Sequence, residues 1–117
     1  MSVRGRSALL LAALLLLPGC FAPVPPSFRW EVYDEVVYRE LSGAGEDPAE
    51  LARILGEEME RAAGLGVVLP PGVRAHLGHL LLRTGDAAGA RLLFLEEKAA
   101  YPESAAFMDR VVAGLGP

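Results

Sequence analysis

The sequence predicts an all-α fold, and three observations carry that prediction. Helix start signals recur at Asp47-Pro48, at Pro70-Pro71-Gly72 and at Asp86, and stop signals answer them at Gly64 and Gly66, at Gly85 and at Pro102. Between those marks, apolar residues return every three or four positions, the period of one helix face. No segment alternates apolar and polar residues between turn signals, so no strand is expected.

The first helix is expected over 29–41. Trp30, Tyr33, Val37 and Leu41 fall three and four apart, with Val32 and Val36 beside them. Its β-branched residues lose side-chain freedom in a helix, so packing has to hold it. Ser42-Gly43-Ala44-Gly45 then breaks it. The second helix, 47–64, has the sharpest start. Asp47 can cap, Pro48 suits the first helical position, and Glu50 has capping-box spacing from Asp47. Leu51, Ile54, Leu55, Met59 and Ala62 form its apolar stripe, while Glu57, Glu58 and Glu60 read as a solvated face. Gly64 and Gly66 supply a left-handed stop. Pro70-Pro71-Gly72 opens a third helix to about residue 84, and Asp86 caps a fourth that continues to about residue 101. A last amphipathic stretch over 103–113 is expected to turn Phe107, Met108 and Val111 inward.

Residues 71–104 resemble a tetratricopeptide repeat over its full length of 34 residues. Leu77-Gly78 supplies the large-small pair of the first helix, Leu81 a large packing residue, and Gly85 the tight turn. Ala90 is the small residue where two helices cross, Phe94 fills the gap between them, and Pro102 ends the unit. A glycine inside a helix costs about 1 kcal/mol against alanine, so a close helix contact has to require Gly78. Arg74 replaces the usual early tryptophan, and Glu97 stands where a small apolar residue is common. An ordinary hairpin of two amphipathic helices is the plainer reading of the same residues. Because a solenoid needs about three repeats to bury its faces, 29–41 and 47–64 would form a lengthened first unit with Trp30 in its early aromatic place. The stretch 103–113 would be a C-terminal capping helix.

Ahead of the helices, Arg4 and Arg6 precede an apolar run over 8–17 and then Leu17-Pro18-Gly19-Cys20. The run is half of the roughly 20 residues a membrane span requires, so it reads as a secretory signal. The four residues ending in Cys20 resemble the lipobox of bacterial lipoproteins, whose cysteine is acylated and becomes the mature N-terminus. The expected organisation is a signal peptide over 1–19, a lipid-anchored tether over 20–28, and an all-α tetratricopeptide-like domain over 29–117. Pro23, Pro25 and Pro26 favour an extended tether, at about 3.1 Å per residue, that would hold the domain roughly 20 Å from the lipid. Phe21 rather than aspartate after the cysteine favours, by analogy, the periplasmic face of the outer membrane.

Cys20 is the one cysteine of the sequence, so it has nothing to pair with inside the chain. Without 1–19, the remaining 98 residues suit a single core. Their nine basic and fifteen acidic residues give −6, which argues against nucleic acid and against electrostatic docking to anionic lipid.

Candidate chemistry is sparse. His76 and His79 share a helix face, and with Glu57, Glu58 or Asp109 they would imitate part of a metal site. Neither a His-Glu-x-x-His motif nor a cysteine pair is present, so neither cofactor nor metal is expected. In repeat geometry, Ala75, His76, His79, Leu82 and Arg83 would line a concave groove. Two imidazoles and a guanidinium there would grip a carboxylate or an extended backbone. The alternative leaves both histidines on a solvated face or under the 47–64 helix. Trp30, Tyr33 and Tyr38 are either core and capping contacts or an aromatic contact surface. Ser27, Ser42 and Ser104 lack nucleophile-elbow surroundings, and the glycines lack the lysine of a phosphate loop. No catalytic residue, enzyme activity or small-molecule substrate is expected.

Pro70-Pro71-Gly72, Ala75-His76-Leu77-Gly78, Gly85-Asp86 and the run from Tyr101-Pro102-Glu103-Ser104 through Phe107-Met108-Asp109-Arg110 carry a second resemblance. The chain resembles a family of small bacterial outer-membrane lipoproteins defined only as a domain of unknown function, of the 4810 type. That resemblance implies an envelope lipoprotein, often encoded beside a curli-secretion-channel-like lipoprotein, with no known activity. The function expected is a non-catalytic interaction module, anchored in the outer membrane, within an envelope secretion or assembly complex. A pilotin escorting a secretion channel is the alternative of the same kind, and a metal-assisted envelope hydrolase the alternative of another class.

Overall fold

Caps decide where the helices begin and end. In the computed structural model, which describes residues 22–117, these residues form α1 (Trp30–Leu41), α2 (Pro48–Gly64), α3 (Val73–Thr84), α4 (Ala87–Ala100) and α5 (Ala105–Gly114). A short 3₁₀ turn over Pro102–Ser104 joins α4 to α5, and no strand occurs among the described residues. Residues 1–19 and Cys20 lie outside the described residues. Asp47 accepts from the Ala49 N–H at 2.9 Å with Pro48 in the first turn, and Asp86 accepts from the Gly89 N–H at 2.8 Å. Each satisfies an amide that the helix itself leaves bare.

Two cap expectations need correction. Glu50 does not close a capping box. Its carboxylate binds Arg53 at 2.7 and 2.8 Å instead, a stronger charge-assisted pairing on the exposed side of α2. The left-handed stop of α2 is Gly66 alone, at φ +68, while Gly64 still belongs to the helix. The Val67 N–H reaches back to the Ala62 carbonyl at 2.9 Å, closing the helix end around Gly66.

Each helix packs on its neighbours in the chain, so the domain is a run of antiparallel helices stacked in sequence order. The larger core gathers Val36 of α1, Leu51 and Leu55 of α2, and Val73, Leu77 and Leu80 of α3. A smaller one joins Ala90 and Phe94 of α4 to Met108 of α5. Full burial of such a side chain is worth about 1.5–3 kcal/mol, so these few residues dominate the stability. Phe28, expected outside the domain, is buried in the larger core. From α1 only Val36 is fully buried, because among the described residues α1 ends the stack. Trp30 and Leu41, expected on its inner stripe, are exposed. Trp30 leans edge-on against Phe28 and Tyr33 at 5.2 and 5.9 Å.

The expectation that Glu58 faces solvent is overturned: it is 0% exposed. Counted from Leu51, the positions 55, 58 and 62 step by four, three and four, so Glu58 stands in the buried stripe of α2. Its carboxylate accepts the Arg29 backbone N–H at 2.9 Å, the Arg29 Nε at 2.6 Å, and two bonds from Arg61 at 2.7 and 2.8 Å. Arg29 is the N-cap of α1 and has no cap bond from its own side chain. Glu58 therefore caps α1 from the neighbouring helix. Glu97, 2% exposed, repeats the device one hairpin later by accepting the backbone N–H of Gly72, the uncapped N-cap of α3, at 2.6 Å.

Candidate functional site

A concavity at the predicted groove lies between α3 and α5, with α4 as its floor. It is an open pocket of about 340 Å³ lined by Ala75, His76, His79 and Leu82 of α3, Phe94 of α4, and Phe107, Met108 and Val111 of α5. Three features of the sequence shape it. On α3, Ala75, His79 and Leu82 are four and three apart, so they stand above one another on one face. Phe94 reaches it because Gly78 has no side chain, since a Cβ at that position would come within 2.7 Å of the Phe94 ring. On α5, Phe107 and Val111 are four apart and form the far wall.

Of the five predicted groove residues, the structure brings Ala75, His76, His79 and Leu82 together in the pocket wall. Arg83 is turned the other way, toward α1, where its Nη1 lies 2.8 Å from Glu40 Oε1. The inward orientation expected for the last helix holds for Met108, which is buried, but not for Phe107, which is 57% exposed. Phe107 forms the pocket's outer wall because, among the described residues, α5 ends the stack and no further helix covers it. Phe94, Phe107, Met108 and Val111 were not assigned to the groove by sequence. The two-helix amphipathic pattern announces their apolar face but not the gap it borders.

His76 and His79 are neither free in solvent together nor covered by α2. They converge with Arg83 on Glu40, at the C-terminal end of α1. His76 Nε2 lies 2.7 Å from Glu40 Oε2 and its Nδ1 lies 3.1 Å from the Tyr33 hydroxyl, with the two rings edge to face at 5.4 Å. An ionised carboxylate only accepts, so His76 donates from Nε2 to Glu40. His79 Nε2 stands farther off, at 3.7 Å from Glu40 Oε1. Burial pushes the Glu40 pKa up. The hydrogen bond and charge of His76, with His79 and Arg83, outweigh it and hold the carboxyl below its ordinary value. Burial, with Glu40 and Asp34 nearby, raises the Tyr33 phenol. The cluster fixes α1 to α3 and sets the orientation of His76 in the pocket wall. Sequence gave no sign of it, since Glu40 is one of several acids on α1.

The acids considered as metal partners are engaged elsewhere. Glu57 binds Arg53 at 2.5 Å, Glu58 binds Arg29 and Arg61, and Asp109 binds Lys98 at 2.5 Å. Among the described residues no group of three or more His, Cys, Asp and Glu side chains is arranged to hold a metal ion. None of the described helices is long and apolar enough to cross a membrane. The arrangement offers an apolar recess with imidazole at its rim, suited to receiving a bulky apolar group and a hydrogen-bonding backbone beside it.

No curated protein matches the chain, and no solved structure matches it. Residues 28–111 match the family described as Domain of unknown function (DUF4810), a stretch that begins at the buried Phe28 and ends at the pocket residue Val111. That stretch covers every helix of the described residues but the last turn of α5, and the chain belongs to the DUF4810 family.

Proposed function

We propose that this chain is an outer-membrane-anchored periplasmic lipoprotein that acts without catalysis, by holding a segment of an envelope protein in the α3–α5 pocket. The observation that carries this reading is the pocket itself. Eight side chains from three helices leave an apolar recess open to solvent, with Phe107 exposed at its mouth and His79 at its rim. An extended segment with one bulky apolar side chain would bury both partners' apolar surface there, while His79 meets its backbone. The arginines and the −6 charge outside the signal region are the background, not the grip.

The tetratricopeptide-like reading belongs to the same proposal. It is supported by the antiparallel hairpins in sequence order, by the close Gly78–Phe94 contact, by the buried Ala90, and by Gly85 turning at φ +90. The lipoprotein reading rests on the sequence around Cys20 and on the exposed, proline-rich residues 22–27 that follow it. Anchoring would concentrate the domain beside its partners, so a modest pocket affinity would suffice.

A photocrosslinking amino acid placed at His79 or at Leu82 in the full chain, in the native bacterium, tests the reading. An adduct with one envelope protein at both positions, absent when the same probe replaces Glu60, is the expected result. Adducts equal at Glu60, or none at either pocket position, would overturn it. If the adduct is a secretion channel that mislocalises on deletion of the chain, the pilotin form of the reading is selected.

A further inference from the structure

The outward face of α4 carries a second apolar feature that neither core uses. Ala88, Leu92, Leu95 and Ala99 are all exposed, with Leu92 at 58% and Leu95 at 43%. They step by four, three and four, the spacing of a coiled-coil seam about three turns long. They lie directly opposite Ala90, Phe94 and Glu97, which face the interior. Arg91 and Lys98 flank the leucines on one side and Glu96 on the other, and Lys98 is already held by Asp109. Arg91 and Glu96 are in no ion pair among the described residues; Arg91 donates to the Gly116 carbonyl. In the seam's register they are the g residue of one turn and the e residue of the next, five apart.

We propose that α4 pairs with α4 of a second copy of this chain, in parallel and about a twofold axis along the helices. The charge pattern selects this occupant and this direction. Parallel seams bring g of one helix against e of the next turn on its partner, which sets Arg91 beside Glu96 of the second copy twice over. An antiparallel pair would instead put Arg91 on the same flank as Lys98 of the other copy. An isologous contact is also the commonest way for one patch to close on itself. The seam is short, two leucines and two alanines per copy, so it makes a weak dimer that a shared surface would favour. The pocket is on the opposite side of the α3–α4 hairpin and stays open in the pair.

Leu95 faces its own counterpart in this arrangement, so Leu95→Cys in the full chain, oxidised in cells, tests it. The expected result is a disulfide-linked species of twice the chain mass, with Glu60→Cys on α2 giving none. Arg91→Glu and Glu96→Arg should each cut the dimer yield severalfold, and the two together should restore it. The restored double variant also shows that the single changes act on pairing rather than on folding. Equal yields from Leu95→Cys and Glu60→Cys, an adduct of another mass, or failure of the double variant to recover would each overturn the proposal.

Discussion

The two helical hairpins, α1–α2 and α3–α4, are built on one device and stabilised by different means. In each, a glutamate in the buried stripe of the second helix accepts the N-cap amide of the first: Glu58 for Arg29, Glu97 for Gly72. The surroundings then diverge. Both Glu58 oxygens are saturated by Arg29 and Arg61, and Arg61 also donates to the Ser27 carbonyl at 2.8 Å, tying down the chain that enters α1. Glu97 Oε2 is buried without a partner, as is Nη1 of Arg74. What the second hairpin lacks in ion pairs it has in contact, with Phe94 seated against Gly78 and Ala90 closed to solvent. One cap is thus compatible with an ionic and with an apolar hairpin, and the apolar one borders the α3–α5 pocket.

The largest expected effect breaks the apolar hairpin. Phe94→Ala removes a ring that contacts α3 and forms the pocket floor, and a loss of about 3–5 kcal/mol in chemical denaturation follows from the cavity left behind. A loss below about 1 kcal/mol would mean that α3 and α4 collapse onto each other freely. The contrast drawn between the hairpins would then fail.

Glutamine separates the two glutamates next. Glu58→Gln keeps an acceptor for the Arg29 amide but strips two guanidinium partners from a buried site. A loss of roughly 2–3 kcal/mol is expected, because half-exposed arginines recover part of their hydration. Glu97→Gln keeps the bond to Gly72 and removes no ion pair, so the melting temperature should stay level or rise. Equal losses at both positions would show that the cap alone, and not its ionic surroundings, sets the energy.

Acid offers a gentler form of the same break. The hydrogen bond from Arg61 leads in lowering the Glu58 carboxyl from 4.5 to about 2, against its burial and with help from the Arg29 amide and guanidinium. A depressed carboxyl stabilises the fold fully above its unfolded value, and that contribution fades as pH falls from about 4.5 toward 2. After solvent screening of the arginines, roughly 2 kcal/mol should disappear over that window. In Glu58→Gln the slope should be visibly shallower. An unchanged slope would assign the acid sensitivity to other carboxylates.

How much of this was legible in the sequence follows the same division. Helix ends were legible because caps are local: Asp47, Pro48, Asp86 and Gly85 announce them without reference to the rest of the chain. The wall that α3 contributes to the pocket was legible because Ala75, His79 and Leu82 share one helix. Glu58 and Glu97 were not, because an acid in a buried stripe looks like an acid on a surface until its partners, 29 and 25 residues away, are in place. The spacing held a clue, since 51, 55, 58 and 62 form one face and so do 90, 94 and 97. Glu40 left no clue at all. Its role depends on α1 lying against α3, a tertiary fact that local pattern does not encode.

The smallest expected effect bears on what the hairpins share. Asp47 and Asp86 each begin the second helix of a hairpin and accept one backbone amide, from Ala49 at 2.9 Å and Gly89 at 2.8 Å. Both are exposed, so removal should cost the cap and little else, about 1 kcal/mol each for Asp47→Ala and Asp86→Ala. Equal losses would confine the difference between hairpins to the first helix and its buried glutamate. A much larger loss at Asp86 would point elsewhere. The Asp86 carboxylate is packed so tightly on the start of α4 that a Cβ at Gly89 would collide with its Oδ2. An outsized effect would then mean that this turn, and not the Gly78–Phe94 contact, sets how closely α4 lies on α3.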